Sequence, residues 1–363
     1  MPSIACYISG HGLGHAVRTC EILRCLTEKN NQLKIFIRTD LPLDFFSTSL
    51  TFDFKYYKIR TDAGMKQKTP LSFNLGKTLY ANIKVEKKYK LLVKNELEFL
   101  NKEMIDVVIA DCPALPLHIA KMAGIKSIFI GNFTWSWIYA YYAKFSELFK
   151  ELSERMHEYY SCADLFLRLP FYSKDDFAFN RVIKDIPLVA RTSQVSKNDL
   201  KTRLGIPLSK KIILLSFSKW EMRKIPISGL SDEYEIIYSS LKPKLNTGFR
   251  NITNHELKKM GLYFPDLLHA SDIIITKPGF GIVADSIAGR IPMLYTDRGD
   301  FPEYQHLVNG IENNLKALYI QQSDLFEGKI PDYIAKLHSM RDVYPVLETD
   351  GAEIASEIIL SYL

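Results

Sequence analysis

Cysteine is sparse and unpatterned in this 363-residue chain: Cys6, Cys20, Cys25, Cys112 and Cys162 are odd in number, fall in the first half and show no CxxC spacing. Neither a disulfide framework nor a zinc site is indicated, and a reducing cytosol fits. No apolar run approaches the roughly 20 residues that span a bilayer. The chain enters a strand-like segment almost at once, without the charged and apolar regions of a signal peptide. Internal repeats and low-complexity tracts are also missing, and a hydrophobic content of 47% with 24% charged residues argues against long disorder. The length suits two domains, each with its own core. A net charge of +6 is modest, but residues 55–102 hold twelve Lys or Arg against four acids (Asp62, Glu86, Glu96, Glu98). Such a face suits phosphates or an anionic membrane.

What is present is organised around residues 271–306, SDIIITKPGFGIVADSIAGRIPMLYTDRGDFPEYQH. The pattern predicts a β-branched strand at 272–276, a break at Lys277-Pro278-Gly279, and a helix opened by Gly281 with apolar residues at helical spacing and closed by Gly289. A second strand at 291–295 and a polar loop at 296–303 follow. A helix beginning at Gly279-Phe280-Gly281 presents unpaired N–H groups and a positive dipole end to a phosphate. One turn in, Asp285 is placed to accept from a ribose diol, and Asp300 and Glu303 from sugar hydroxyls, so the stretch suits a nucleotide-sugar. An ordinary βαβ unit, with glycines serving only its turns, fits the same letters.

The first half opens in the same way. A strand at 3–8 runs into SGHGLGHAVR (9–18), where Gly10, Gly12 and Gly14 alternate and His11 and His15 sit at the loop and the first helical turn. This is not the dinucleotide spacing. Two histidines suggest a metal, but no nearby cysteine or carboxylate completes a ligand set. Strands are expected at 33–38, 52–57, 107–111, 127–130 and 164–169, the last closing the domain, with a long lysine-rich helix over 75–102. Asp111 ends its strand on the same sheet edge as the His15 loop in a doubly wound domain. It is placed to orient a histidine, or equally to cap the next helix. The aromatic segment NFTWSWIYAYYAKFSELF (132–149) predicts a long helix packed in the core; an acceptor site or a membrane surface is the other reading.

Residues 185–203 read as a polar connector. A second α/β set then begins with a strand at 211–217, a loop at Ser218-Lys219-Trp220 where a diphosphate would approach, and a strand at 235–240. A short helix at 262–270 leads into the organising stretch. The boundaries expected are 1–190, 191–345 and a C-terminal helix within 346–363.

Taken together, SGHGLGHAVR, GNFTWSWIY (131–139), DIPLVAR (185–191), RLGIP (203–207) and TKPGFGIVADSIAGRIPMLYTDRGDFPEY resemble GT-B nucleotide-sugar glycosyltransferases. The similarity runs over nearly the whole chain. It is nearest to the glycosyltransferase-like domain at the front of plant-type L-arabinokinases, and extends to the lipid-linked N-acetylglucosamine transferase of peptidoglycan synthesis. No galactokinase-like ATP motif follows, so the resemblance implies the transferase half standing alone. It further implies an α/β fold of two Rossmann-like doubly wound domains facing a cleft, acceptor side first and donor side second, with the last helix crossing back to the first domain.

By the same resemblance His15 is the candidate base, and the residue matching Asp285 contacts the ribose, although relatives usually carry Glu there. Ser218 stands where they often have glycine near the diphosphate. The implied activity is inverting, metal-independent hexosyl or N-acetylhexosaminyl transfer from a nucleotide-sugar, expected to be UDP-linked, to a hydroxyl acceptor, with no cofactor and no nucleic acid partner. In that mechanism His15 takes the acceptor proton, Asp111 supports it, and Lys277 or Lys219 adds positive charge at the diphosphate. GLGHAVR (12–18) also resembles the GxGHxxR pattern of UDP-sugar hydrolases from sialic-acid-like pathways, and a catalytically silent sugar-nucleotide binder is a third reading. The implied location is cytoplasmic, with peripheral contact to the inner membrane face.

Overall fold

The computed structural model describes the chain apart from residues 70–71, 218–221, 223–224, 227–229, 231, 241–248 and 298. Its contacts divide it into two units. The first comprises Met1–Val189, Gly299–His306 and Glu348–Leu363, and the second Ala190–Arg298 and Leu307–Leu347.

In the first unit the strands are β1 (Ser3–Ile8), β2 (Lys34–Thr39), β3 (Lys55–Lys58), a small antiparallel pair β4 (Gln67–Thr69) and β5 (Ser72–Phe73), then β6 (Val107–Asp111), β7 (Lys126–Gly131), β8 (Leu165–Arg168) and β9 (Val182–Asp185). Seven of them form one parallel sheet in the order β3-β2-β1-β6-β7-β8-β9. The apolar runs explain the centre of it: every residue of β1 and β6 is buried, as expected where helices cover both faces of a parallel sheet. The second unit contains β10 (Lys211–Ser216), β11 (Tyr234–Ser240), β12 (Arg250–Thr253), β13 (Ile273–Thr276), β14 (Met293–Tyr295) and β15 (Ala317–Tyr319), all parallel, in the order β12-β11-β10-β13-β14-β15. Strand order therefore reverses between β1 and β6 in one sheet and between β10 and β13 in the other. Such reversals open crevices at the strands' carboxyl ends.

The helix Gly351–Leu360 belongs to the first unit and packs on the helix Gly14–Lys29. Its start is a close approach: the Gly351 N–H donates to the Leu188 carbonyl at 3.1 Å, and a Cβ there would lie 2.2 Å from the Pro187 carbonyl oxygen. Only glycine fits that contact without movement.

Three expectations change. The last strand of the first sheet is β9, not the strand at 164–169, because the mostly exposed edge strand VIKD carries too little apolar signal. The lysine-rich helix is two helices, Leu75–Lys87 and Tyr89–Lys102, broken at Lys88. Buried Thr78, Asn82, Val93, Glu96 and Leu100 keep a helical period across that break, so periodicity could not mark it. The aromatic segment is also divided, into Trp135–Tyr142 and Glu147–Tyr160, because Ser146 caps a new helix by accepting the Leu148 N–H. Its core reading holds, with Trp135, Ile138, Tyr139, Tyr142 and Phe149 all buried. Among the described residues no helix is long and apolar enough to cross a membrane.

Candidate functional site

The loop after β1 is tied to the end of β6, since the Ser9 N–H donates to the Asp111 carbonyl at 3.1 Å. Gly12 has φ +84°, a conformation that side chains resist, and a Cβ on Gly10 would collide with Asp40 at 1.8 Å. The loop delivers the chain into the helix Gly14–Lys29, whose first turn carries His15, only 7% exposed. Its Nδ1 lies 2.8 Å from Asp111 Oδ1.

Asp111 is fully buried and heavily donated to. Arg18 reaches it with Nε on Oδ2 at 2.7 Å and Nη2 on Oδ1, and Thr19 Oγ1 donates to Oδ2 at 2.8 Å. His15, Arg18 and Thr19 share a helix face because they are three and four residues apart. Burial by itself would push the Asp111 carboxyl up, but the Arg18 guanidinium and the His15 hydrogen bond outweigh it and hold the carboxyl below the usual range. Arg18 Nη1 continues to Asn132 Oδ1 at 2.9 Å, and Asn132 Nδ2 donates to Glu303 Oε1 at 2.7 Å.

Beside this network lies Asp62, whose Oδ2 accepts from Ser9 Oγ at 2.6 Å and from Trp135 Nε1 at 2.9 Å. Burial pushes its carboxyl up, against those two hydrogen bonds and the nearby His15. The His11 ring stands edge-on to Trp135 at 5.1 Å and 6.0 Å from Phe301, while His15 faces Phe133 at 5.9 Å. His15 thus enters the polar network, and His11 sits among aromatic rings.

In the second unit, β13 passes through Lys277 and Pro278 into the helix Phe280–Gly289, with Gly279 at its N-cap and no side-chain cap. Lys277 and Gly279 are half-buried, and Phe280 and Gly281 buried. Asp285 is in a different setting from the ribose contact expected of it. Its side chain is 1% exposed, Oδ1 accepts the Arg191 backbone N–H at 2.8 Å, and Oδ2 accepts Arg191 Nε at 3.0 Å and Nη2 at 2.5 Å. The Arg191 carbonyl in turn meets His269 Nε2 at 2.8 Å. The carboxylate therefore anchors the start of the second unit to its glycine-headed helix. Asp285→Ala should strand the guanidinium and cost about 3 kcal/mol, the lower end for a broken buried pair because Arg191 keeps some exposure. A lowered thermal unfolding midpoint is the expected readout. An unchanged midpoint together with weakened UDP binding would return this carboxylate to the ribose.

Asp300 and Glu303 fall in the segment Gly299–His306 of the first unit. The Tyr141 hydroxyl donates to Asp300 Oδ1 at 2.8 Å, Tyr142 donates to the Asp300 carbonyl, and Glu303 holds Asn132. The acids offered by sequence to sugar hydroxyls are thus engaged by aromatic and amide side chains of the first unit. Ser218 and Lys219 lie outside the described residues. Among those described, no group of three or more His, Cys, Asp or Glu is placed to hold a metal ion.

Sequence reasoning missed Arg18, Thr19, Asp62, Asn132 and Arg191 as members of these clusters. Helical spacing from His15 would have found the first two, and the carboxyl end of β7 the Asn132. Nothing local marks Asp62 or Arg191, which act through partners 53 and 94 residues away.

Comparison with known proteins agrees with this architecture. No family model matches the chain. The L-arabinokinase of Arabidopsis thaliana is 27% identical over 371 residues, a match covering 98% of this chain and 34% of that protein. The chain thus spans about a third of the length of that curated relative. Among solved structures, the glycotransferase of kitacinnamycin superposes with a TM-score of 0.63 at 14% identity, covering 100% of this chain and 99% of that one. Phytolacca americana UGT2, complexed with UDP-2fluoro-glucose and pterostilbene, gives 0.61 at 11% identity over 100% and 94% of the two chains. A UGT transferase from Siraitia grosvenorii in complex with UDP gives 0.54 at 11% identity over 99% of each. With two parallel Rossmann-like sheets each reversing strand order at its centre, the chain has the GT-B glycosyltransferase fold.

Proposed function

We propose that the protein is an inverting, metal-independent glycosyltransferase that moves a sugar from a UDP-sugar to a hydroxyl acceptor, with His15 as the base. The observation that carries this reading is the buried His15–Asp111 pair at the carboxyl ends of the two central strands, β1 and β6, in a GT-B fold. With its proton on Nδ1 donated to Asp111, the imidazole presents the Nε2 lone pair to an acceptor hydroxyl. As that oxygen forms its bond to the anomeric carbon, Nε2 takes its proton, and the bond to the diphosphate breaks with the electron pair leaving on phosphate oxygen. The positive dipole end of the helix Phe280–Gly289, headed by Gly279, is suited to the charge that develops there. Solved relatives by fold that carry UDP or a UDP-sugar support the choice of donor. The test is calorimetric titration with UDP, GDP and their sugar conjugates, followed by product analysis with hydroxyl acceptors. Inverted glycoside from a UDP-sugar is expected; binding without consumption of any donor would leave a silent binder.

On the same reading the protein is cytoplasmic and its first unit rests peripherally on an anionic membrane. The helix Leu75–Lys87 turns Tyr80 and Ile83 outward, 60% and 41% exposed, among exposed Lys77, Lys84 and Lys87. Its one acid, Glu86, is instead paired with Arg155. Apolar tips framed by cations suit the interface of an acidic bilayer. Binding to vesicles should require anionic lipid, fade with salt, and weaken by about 1 kcal/mol for each lysine removed, so that Lys84→Gln with Lys87→Gln loses roughly thirtyfold. Equal binding to neutral and anionic vesicles would discard the surface.

A further inference from the structure

The network around His15 runs further than a two-residue pair requires, and it contains a conflict. Nδ1 has Asp111 Oδ1 at 2.8 Å and Arg18 Nη2 at 3.1 Å. An ionised carboxylate only accepts and a guanidinium only donates, so these neighbours favour opposite tautomers. Asp111 favours a proton on Nδ1, leaving the lone pair on Nε2. Arg18 favours a bare Nδ1, placing the proton on Nε2 and removing its capacity to accept another. Nη2 carries two N–H groups, one of them donated to Asp111 Oδ1, and the outcome turns on whether the other is aimed at Nδ1.

The guanidinium is also held from its other side. Arg18 Nη1 donates to Asn132 Oδ1 at 2.9 Å, and Asn132 Nδ2 donates to Glu303 Oε1 at 2.7 Å. The two ends of the amide are unlike, and each faces the charge that suits it. A flipped Asn132 would turn its NH₂ toward a guanidinium and its oxygen toward a carboxylate. Asn132 is 1% exposed and Glu303 6%, so water is a poor substitute for either contact.

We propose that Glu303 and Asn132 are positioning residues that set the His15 tautomer through Arg18. The inference rests on the reading of His15 as a base, and it gives Glu303 a role separate from contact with a sugar. Because Glu303 lies on the segment Gly299–His306, whose first residue has φ +82°, a shift of that segment would be passed along the network to His15.

The test uses the full chain labelled with ¹⁵N-histidine, the His15 signals being identified by their loss in His15→Ala. Above the titration of imidazole, the parent should show Nδ1 in the protonated range and Nε2 in the unprotonated range. Glu303→Ala should shift His15 toward the reverse pattern. Glu303→Gln keeps an acceptor oxygen for Asn132 and should restore the parent pattern. A folded Glu303→Ala protein with an unchanged His15 spectrum overturns the proposal, and so does a Glu303→Gln protein that behaves like the alanine variant. If Glu303→Ala does not fold, Glu303→Asp, one methylene short of Asn132, is read in the same way. A parent that consumes no sugar donor would remove the transfer reading, while the tautomer measurement would still decide this proposal.

Discussion

His15→Ala should lower turnover of the sugar donor by roughly 10²–10⁴, the usual worth of a general base, while leaving nucleotide affinity unchanged. The separation of the two effects is the informative part. His15 lies in the first unit, hydrogen-bonded to Asp111, whereas the glycine-headed helix suited to a diphosphate lies in the second. Loss of the base should therefore appear in kcat rather than in the dissociation constant of UDP. His11→Ala is the control. That ring packs against Trp135 and Phe301 and should shape the loop, so its removal should cost less turnover than removal of His15. A His15→Ala protein with near-normal turnover would eliminate His15 as the base.

The largest loss of stability should come from Asp111. This carboxylate is fully buried against Arg18, itself 2% exposed, and replacing it with alanine leaves a guanidinium enclosed without its counter-charge. Breaking such a pair costs about 3–5 kcal/mol, to be read as a lower denaturant midpoint with an unchanged slope. The pH dependence has a defined sign. The folded-state value of Asp111 lies below its ordinary 3.8, so its stabilising contribution is fully present above that value and is lost as pH falls through the depressed one. Asp111→Asn should accordingly flatten the acid limb of the stability curve below about pH 4. An Asp111→Ala protein as stable as the parent would mean that Arg18 finds another partner.

Much of the architecture could be read locally. The apolar segment at 107–111 ends where β6 ends, because a strand covered on both faces leaves a continuous hydrophobic run between polar boundaries. The helices opening at Gly14 and Phe280 were legible from glycine followed by apolar residues at helical spacing. Where the signal was thin, so was the reading. β9, β12 and β15 are strands of three or four residues, mostly half-exposed, and their place in the sheets comes from neighbours already there.

The candidate site divides along the same line. By itself the sequence determined that His15 stands at the opening of a helix behind a glycine loop and that Asp111 ends a buried strand, because both follow from short-range pattern. Tertiary structure alone decided what each charged group meets. Asp111 receives Arg18 and Thr19 as well as His15, Asp285 turns to Arg191, and Glu303 reaches Asn132 across 171 residues of sequence. A buried charge is stable only beside a compensating partner. Which partner it finds depends on the approach of elements far apart in the chain, and no local periodicity records that.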